Sequence, residues 1–275
     1  MLKVFTEVLP KRPIRFLRGV VGVICLLRSI EEYRVMTRVL NPQSMHFPVI
    51  EALPSLTTSQ AAILLALWFG ASLAFAIGWK TRISGPVLAA VMGYTLMIDQ
   101  QLYFSHLYLL CLIVLLLSLA EVGRPPETNT VSRWPILLLQ LQLSIVYFFS
   151  AVTKVNSVYL SGYMLGATLR KDLPAAVFTP RMLTMVAVAS IVIELFLAGA
   201  FWVRNLKKAA VLIGVLFHLT MVLTLAPSVA AQLTLFAVAC ISIYPLFFLQ
   251  KQENGSVPRQ TTDVPLGSRQ TVGIA

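Results

Sequence analysis

The stretch SQAAILLALWFGASLAFAIGW, residues 59–79, carries no charged side chain from end to end. Its length falls in the range of roughly 17 to 25 residues that a helix needs to cross a bilayer. Lipid offers backbone N–H and C=O groups no partner, so such a run has to be a helix. Outward from it, comparable runs recur at about 84–98, 106–120, 135–153, 182–202, 209–225 and 228–249, and a first one begins at Gly19. The sequence thus predicts an all-α, polytopic transmembrane helical bundle of about eight helices. Composition agrees. Of 275 residues, 57% are hydrophobic and 12% charged, against about 25% charged in an ordinary soluble domain. Residues 1–250 are expected to form one membrane domain. Residues 251–275, rich in Gln, Thr, Ser, Gly and Pro, read as a disordered cytoplasmic tail.

The basic start, Lys3, Lys11, Arg12, Arg15 and Arg18, followed by the apolar Gly19–Leu27, has the outline of a signal peptide. Arg28, Glu31 and Glu32 stand where a small-residue cleavage site would be, so the segment is read as an uncleaved first helix. There are 22 Lys+Arg against 11 Asp+Glu. With the spans alternating sides, fifteen of the basic residues fall with the two termini and seven on the opposite side. The positive-inside rule then places both termini in the cytoplasm, and the basic excess reports topology and membrane lipid rather than a nucleic-acid partner. Cys25, Cys111 and Cys240 lie far apart inside apolar runs and read as small core residues.

Ionisable side chains within a membrane cost a few kcal/mol each even on lenient scales, so each one asks for a reason. They are few. Arg28, Glu31 and Glu32 end the first helix, Asp99 ends the third, His106 begins the fourth, Lys154 ends the fifth, and Glu194 and His218 lie within the sixth and seventh. By the topology above most belong to the outer half of the bundle, where one polar cavity can hold them. Each also has a plainer reading. Arg28 with Glu31 or Glu32 suits an ion pair near the headgroups, Asp99 and His106 suit a solvated turn, and Lys154 suits a lysine snorkelling from a helix end. Glu194 and His218 suit an interhelical hydrogen-bonded pair as well as catalysis. His46 reads as a surface histidine. Two outer segments, 33–58 with Pro42 and Pro54 and 154–181 with Pro174 and Pro180, are long enough to fold back on the bundle.

No Walker loop, GxGxxG, GxSxG or HExxH pattern is present. Three dispersed histidines without a cysteine pair give no reason to expect a metal site. Neither inverted repeats nor paired broken spans favour a transporter. Gln140 and Gln142 are two apart on one helix and so point to different faces, one towards protein and one towards a polar crevice.

Three blocks carry a family resemblance. The stretch Gln140–Lys154, QLQLSIVYFFSAVTK, is followed by Tyr159, Gly162 and Tyr163. A second block holds Gly78 to Arg82, then Asp99, Tyr103, Ser105, His106 and Tyr108. A third holds Phe217-His218 and Pro245-Leu-Phe. Over roughly residues 14–248 these resemble the HTTM membrane domain of the vitamin K-dependent γ-carboxylase family. In that family the lysine matching Lys154 is regarded as the base that starts oxidation of vitamin K hydroquinone, and the histidine matching His106 lies at the active centre. The resemblance implies an isoprenoid quinol, vitamin K-like, as cofactor and a quinol-oxidising membrane enzyme. Lys154 and His106 would be catalytic, and Asp99, Tyr103, Ser105, Tyr159, Tyr163, His218 and Glu194 would position the substrate. An amine acts as a base near neutral pH when desolvation lowers its pKa, which a membrane-embedded pocket provides. The family's carboxylases continue into a large lumenal region, whereas this sequence has only residues 249–275 after its closing block. Ser105 replaces an amide side chain and Thr153 a second basic residue. These departures favour an alternative: a non-enzymatic accessory or immunity protein of a secreted-peptide system, meeting a peptide or protein on the non-cytoplasmic side.

Overall fold

The structure is a computed structural model that describes residues 7–41, 43–53, 56–122, 128–173 and 178–250. Pro42, Pro54, Pro174 and the expected disordered tail, 251–275, lie outside the described residues. The long helices are α1 (Lys11–Val39), α2 (Thr58–Ile77), α3 (Thr81–Ile98), α4 (Ser105–Glu121) and α5 (Arg133–Thr153). After the short α6 (Ser157–Leu160) and α7 (Tyr163–Thr168) come α8 (Pro180–Ala200), α9 (Lys207–Thr224) and α10 (Pro227–Ile243). A 3-10 turn, Tyr244–Phe248, closes the bundle. Each of the eight apolar runs read from the sequence is one long helix.

Five of these, α2, α3, α5, α8 and α9, are long and apolar enough to cross a membrane by length and composition. The segments Ser105–Glu121 and Gln232–Phe248 are shorter apolar helices. Helix α1 is longer than the sequence reading at both ends. Its charged flanks hid it from an apolar window, yet they support helix: Arg28 pairs with Glu31 at 2.7 Å and Glu32 at 2.8 Å, at i+3 and i+4.

Local chemistry sets the helix ends. Thr57 caps α2 in a reciprocal box, its hydroxyl accepting from the Gln60 N–H while Gln60 accepts from the Thr57 N–H. Gly78 stops the same helix at φ 86°, the left-handed cap that glycine takes without strain. Thr179 caps α8 and Pro180 fills its first turn. Helices α1 to α4 pack in sequence, α1 also touching α4; α5 leans on α4 and on α8, and α10 closes back onto α1. A short antiparallel pair, β1 (Val8–Pro10) with β2 (Thr130–Ser132), ties the chain start to the approach of α5, reinforced by an Arg133 to Glu7 ion pair. Three-residue strands give no periodic signal, so the sequence did not announce them.

The described parts of the two long segments, 33–58 and 154–181, do fold back on the bundle. Asp99 accepts from the Phe47 N–H at 3.0 Å and from the Gln101 N–H at 2.8 Å, which clamps the stretch after α1 onto the α3–α4 turn. Helices α6 and α7 pack against α8, where the backbone at Gly162 comes so close to Leu183 that a Cβ would fall 2.6 Å from it.

The outward faces are apolar. On α9, Leu212, Leu216, Leu219 and Leu223 are each at least half exposed and lie on one helical stripe. Continuous apolar surface of this kind belongs against lipid. Inside, helix packing relies on small residues: a Cβ at Gly22 would meet Ala76 Cα at 2.6 Å, and the Trp68 indole donates to the Cys25 carbonyl at 3.1 Å across the same α1–α2 seam. Cys25 and Cys240 are buried and all three cysteines are free, as small core residues would be.

Gly22→Leu is expected to push α1 and α2 apart and destabilise the protein by about 1–3 kcal/mol. Gly70→Leu, at a position with open space around its Cα, is expected to be neutral. Denaturant titration in detergent checks the pair; equal stability of the two variants would contradict the close α1–α2 approach.

Candidate functional site

Helix α5 carries Tyr147, Ser150 and Lys154 at spacings of three and four, so they share one face. Lys154 is the cap at the carboxyl end of α5, where a cation meets the negative end of the helix dipole. Its Nζ lies 2.5 and 2.6 Å from the two carboxylate oxygens of Glu194 and 2.9 Å from Ser150 Oγ. Ser150 in turn donates to Glu194 at 2.8 Å. Glu194 sits in the middle of α8 and is 4% exposed. The lysine expected as a desolvated amine is therefore one half of an ion pair whose carboxylate is buried and whose ammonium is partly exposed.

A second polar group stands beside it on α9. Tyr147 Oη is 2.9 Å from His218 Nε2 and 2.5 Å from Tyr244 Oη. Gly214, one turn before His218, makes the room: a Cβ there would fall 2.5 Å from the Tyr244 hydroxyl. If Tyr244 donates to Tyr147 and Tyr147 donates to Nε2, both hydroxyl protons are used. The reverse direction leaves the Tyr244 proton without an acceptor. The first arrangement is the better satisfied, and it puts the His218 proton on Nδ1. That Nδ1 is buried and has no hydrogen-bond partner among the described residues. The interhelical pair read from the sequence, Glu194 with His218, is replaced by two: Glu194 with Lys154, and His218 with Tyr147.

Helix α4 brings the third element. His106 follows Ser105 in its first turn, and its Nε2 is likewise buried without a partner among the described residues. Phe104 lies against the His106 ring and under the Arg28 guanidinium, 5.1 Å from its centroid.

These groups converge. Ser105, His106, Lys154, Glu194 and His218, from three helices and one cap, line a single cavity of about 580 Å³. Tyr147, Ser150, Gln142 and Gln232 add polar atoms to it, and Ile145, Phe149, Phe217, Leu233 and Phe236 make much of its apolar wall. Ile145, Phe149 and Val229 are also exposed on the outer surface, so the cavity reaches the lipid-facing side of the bundle.

Other residues singled out in the sequence lie elsewhere. Asp99 does not line the cavity; its carboxylate is taken up by the backbone of Phe47 and Gln101, with His46 3.6 Å away. Tyr103 and Tyr163 are largely exposed and outside the cavity. Tyr159 lies outside the lining too but stands next to it, its ring 5.8 Å from Lys154 Nζ and its hydroxyl 2.8 Å from Ser190 Oγ. Burial raises the Tyr159 phenol above its ordinary pKa, so it stays protonated. Gln140 and Gln142 split as their spacing required: Gln140 donates to the Leu246 carbonyl, and Gln142 faces the cavity. Tyr147, Ser150 and Tyr244 were missed. The shared face of Tyr147, Ser150 and Lys154 was a readable signal for two of them; Tyr244, far along the chain, left none.

Among the described residues no three His, Cys, Asp or Glu side chains are grouped to hold a metal ion. No solved structure matches the chain. The HTTM domain family matches residues 12–251, a range that takes in the long helices from the first turn of α1 onward, the ion pair, His106 and His218. Together with the apolar helices, this makes the chain an integral membrane protein of the HTTM domain family.

Proposed function

We propose that the chain is a quinol-dependent membrane enzyme in which Lys154 and Glu194 move a proton from the hydroxyl of a lipid-soluble substrate. The observation that carries this reading is the convergence, on one cavity that reaches the lipid side, of the ion pair and two histidines that each have a ring nitrogen unpartnered among the described residues. Buried polar atoms are normally satisfied, so two orphans on side chains that line the same space fit a ligand with polar atoms of its own. The apolar wall fits the rest of such a molecule. An isoprenoid quinol combines these properties, and when bound it supplies two hydroxyls and a pair of electrons.

The pair, with its carboxylate buried, is hard to attribute to stability. Apolar replacements for such pairs are often neutral or stabilising, whereas removing one partner costs about 3–5 kcal/mol. Its retention in lipid suits a proton-handling role. Lys154 Nζ passes a proton to Glu194 across 2.5 Å, and the free amine so formed takes the proton of a substrate hydroxyl. The ammonium then faces the developing oxyanion while Glu194 is neutral, so no net charge enters the cavity. His218, held as the Nδ1–H tautomer by Tyr147, and His106 hydrogen-bond the polar ends of the substrate.

Lys154→Arg separates structure from chemistry, because arginine keeps the pair with Glu194 but does not give up its proton. With purified protein and a short-chain vitamin K hydroquinone, wild type is expected to consume oxygen in a quinol-dependent way. Lys154→Arg is expected to lose roughly 10²–10⁴ of that rate while unfolding like wild type. A variant turning over at the wild-type rate would reject Lys154 as the base.

Tyr147→Phe removes one hydrogen bond to His218 and leaves the ion pair intact. Quinone binding, followed by quenching of the protein's tryptophan fluorescence, is expected to weaken about tenfold. Unchanged affinity would remove His218 from substrate positioning.

A further inference from the structure

The opposite end of the bundle holds a second cavity, about 690 Å³, of different character. Among the described residues, Lys11, Arg15 and Arg18 from α1, Lys80 from the α2–α3 turn and Arg82 from α3 line it, against one carboxylate, Glu121. Glu121 is already engaged: Arg18 donates to one of its oxygens at 2.8 Å and Thr81 to the other at 2.6 Å. Arg18 Nε is buried with no hydrogen-bond partner among the described residues.

Helix dipoles add to the charge. Helices α1 and α3 both begin at this cavity, at Lys11 and Thr81, and neither has an acidic residue in its first turn or a side-chain cap. Cations at the positive end of a helix are unfavourable, and an anion is favourable. Two helix starts with Lys11, Arg15 and Lys80 beside them are thus arranged against their own dipoles unless a further negative group joins Glu121. Asymmetry of loop charge accounts for basic residues on one side of a membrane, but not for their grouping around a cavity.

The surroundings say what kind of anion. Ile77 and Ile83 line the cavity and are exposed, as are the neighbouring Trp79 and Phe16. Trp79 lies under Lys80, whose Nζ is 5.2 Å from its ring. A tryptophan beside cations at a helix end marks the membrane–water interface. Arginine forks suit phosphate oxygens, and the apolar rim suits acyl chains.

We propose that this cavity is a binding site for the phosphate headgroup of an anionic phospholipid, with the acyl chains lying against Ile77, Trp79 and Ile83. Arg15 and Lys80 are exposed and hold the phosphate; the half-buried Arg18, braced by Glu121, forms the floor.

The test compares purified protein in nanodiscs of phosphatidylcholine with and without phosphatidylglycerol, using native mass spectrometry to follow retained lipid. Wild type is expected to keep phosphatidylglycerol in preference to phosphatidylcholine. Arg15→Gln/Lys80→Gln is expected to weaken that retention roughly thirtyfold, about fivefold per charge. Arg34→Gln/Arg38→Gln, with the same charge removed from the exposed far end of α1, is expected to leave it within about twofold. Equal losses in both double variants would overturn the site in favour of general attraction. Displacement of the lipid by inorganic phosphate at matched concentration would overturn the lipid assignment.

Discussion

The ion pair between Lys154 and Glu194 is the constraint around which the α5–α8 half of the molecule is arranged. A carboxylate 4% exposed in the middle of a membrane helix is tolerable only with a partner at contact distance. Lys154 supplies it from the end of α5, and Ser150 closes the triangle one turn back. That requirement sets how α5 and α8 face each other. The same face of α5 then delivers Tyr147 to His218 and Tyr244, which draws α9 and the closing turn after α10 to the cavity.

Apolar character was legible because it is local. Each spanning run can be recognised from its own residues, and all eight became helices. The limits of α1 were not legible: its flanks are charged, and only the partners Arg28 finds at i+3 and i+4 reveal that the helix continues. The site divides along the same line. Family resemblance marked Lys154 and His106, and the offset between Gln140 and Gln142 separated a structural amide from a cavity one. The partnerships were not recoverable, since Glu194 lies 40 residues from Lys154, and Tyr244 lies 97 from Tyr147. No periodicity spans such separations. Asp99 shows the opposite error: its place beside His106 suggested a shared role, but backbone N–H groups nearby claimed its oxygens first.

The two ends of the bundle use charge in different ways. At the Lys154 end, charge is balanced and its carboxylate buried, with two imidazole nitrogens unpartnered among the described residues. At the Arg18 end, cations outnumber the single lining carboxylate and lie at two helix starts. In the proposed account the first handles a proton and the second anchors the protein to its lipid.

The central claim is that Glu194 takes up a proton when a quinol occupies the cavity. Infrared difference spectroscopy of the purified protein, recorded without oxygen before and after adding the hydroquinone, reads that event directly. The account predicts a protonated-carboxyl band that appears with the ligand and is missing in Glu194→Gln. A bound ligand with no such band, or one that persists in Glu194→Gln, would contradict it.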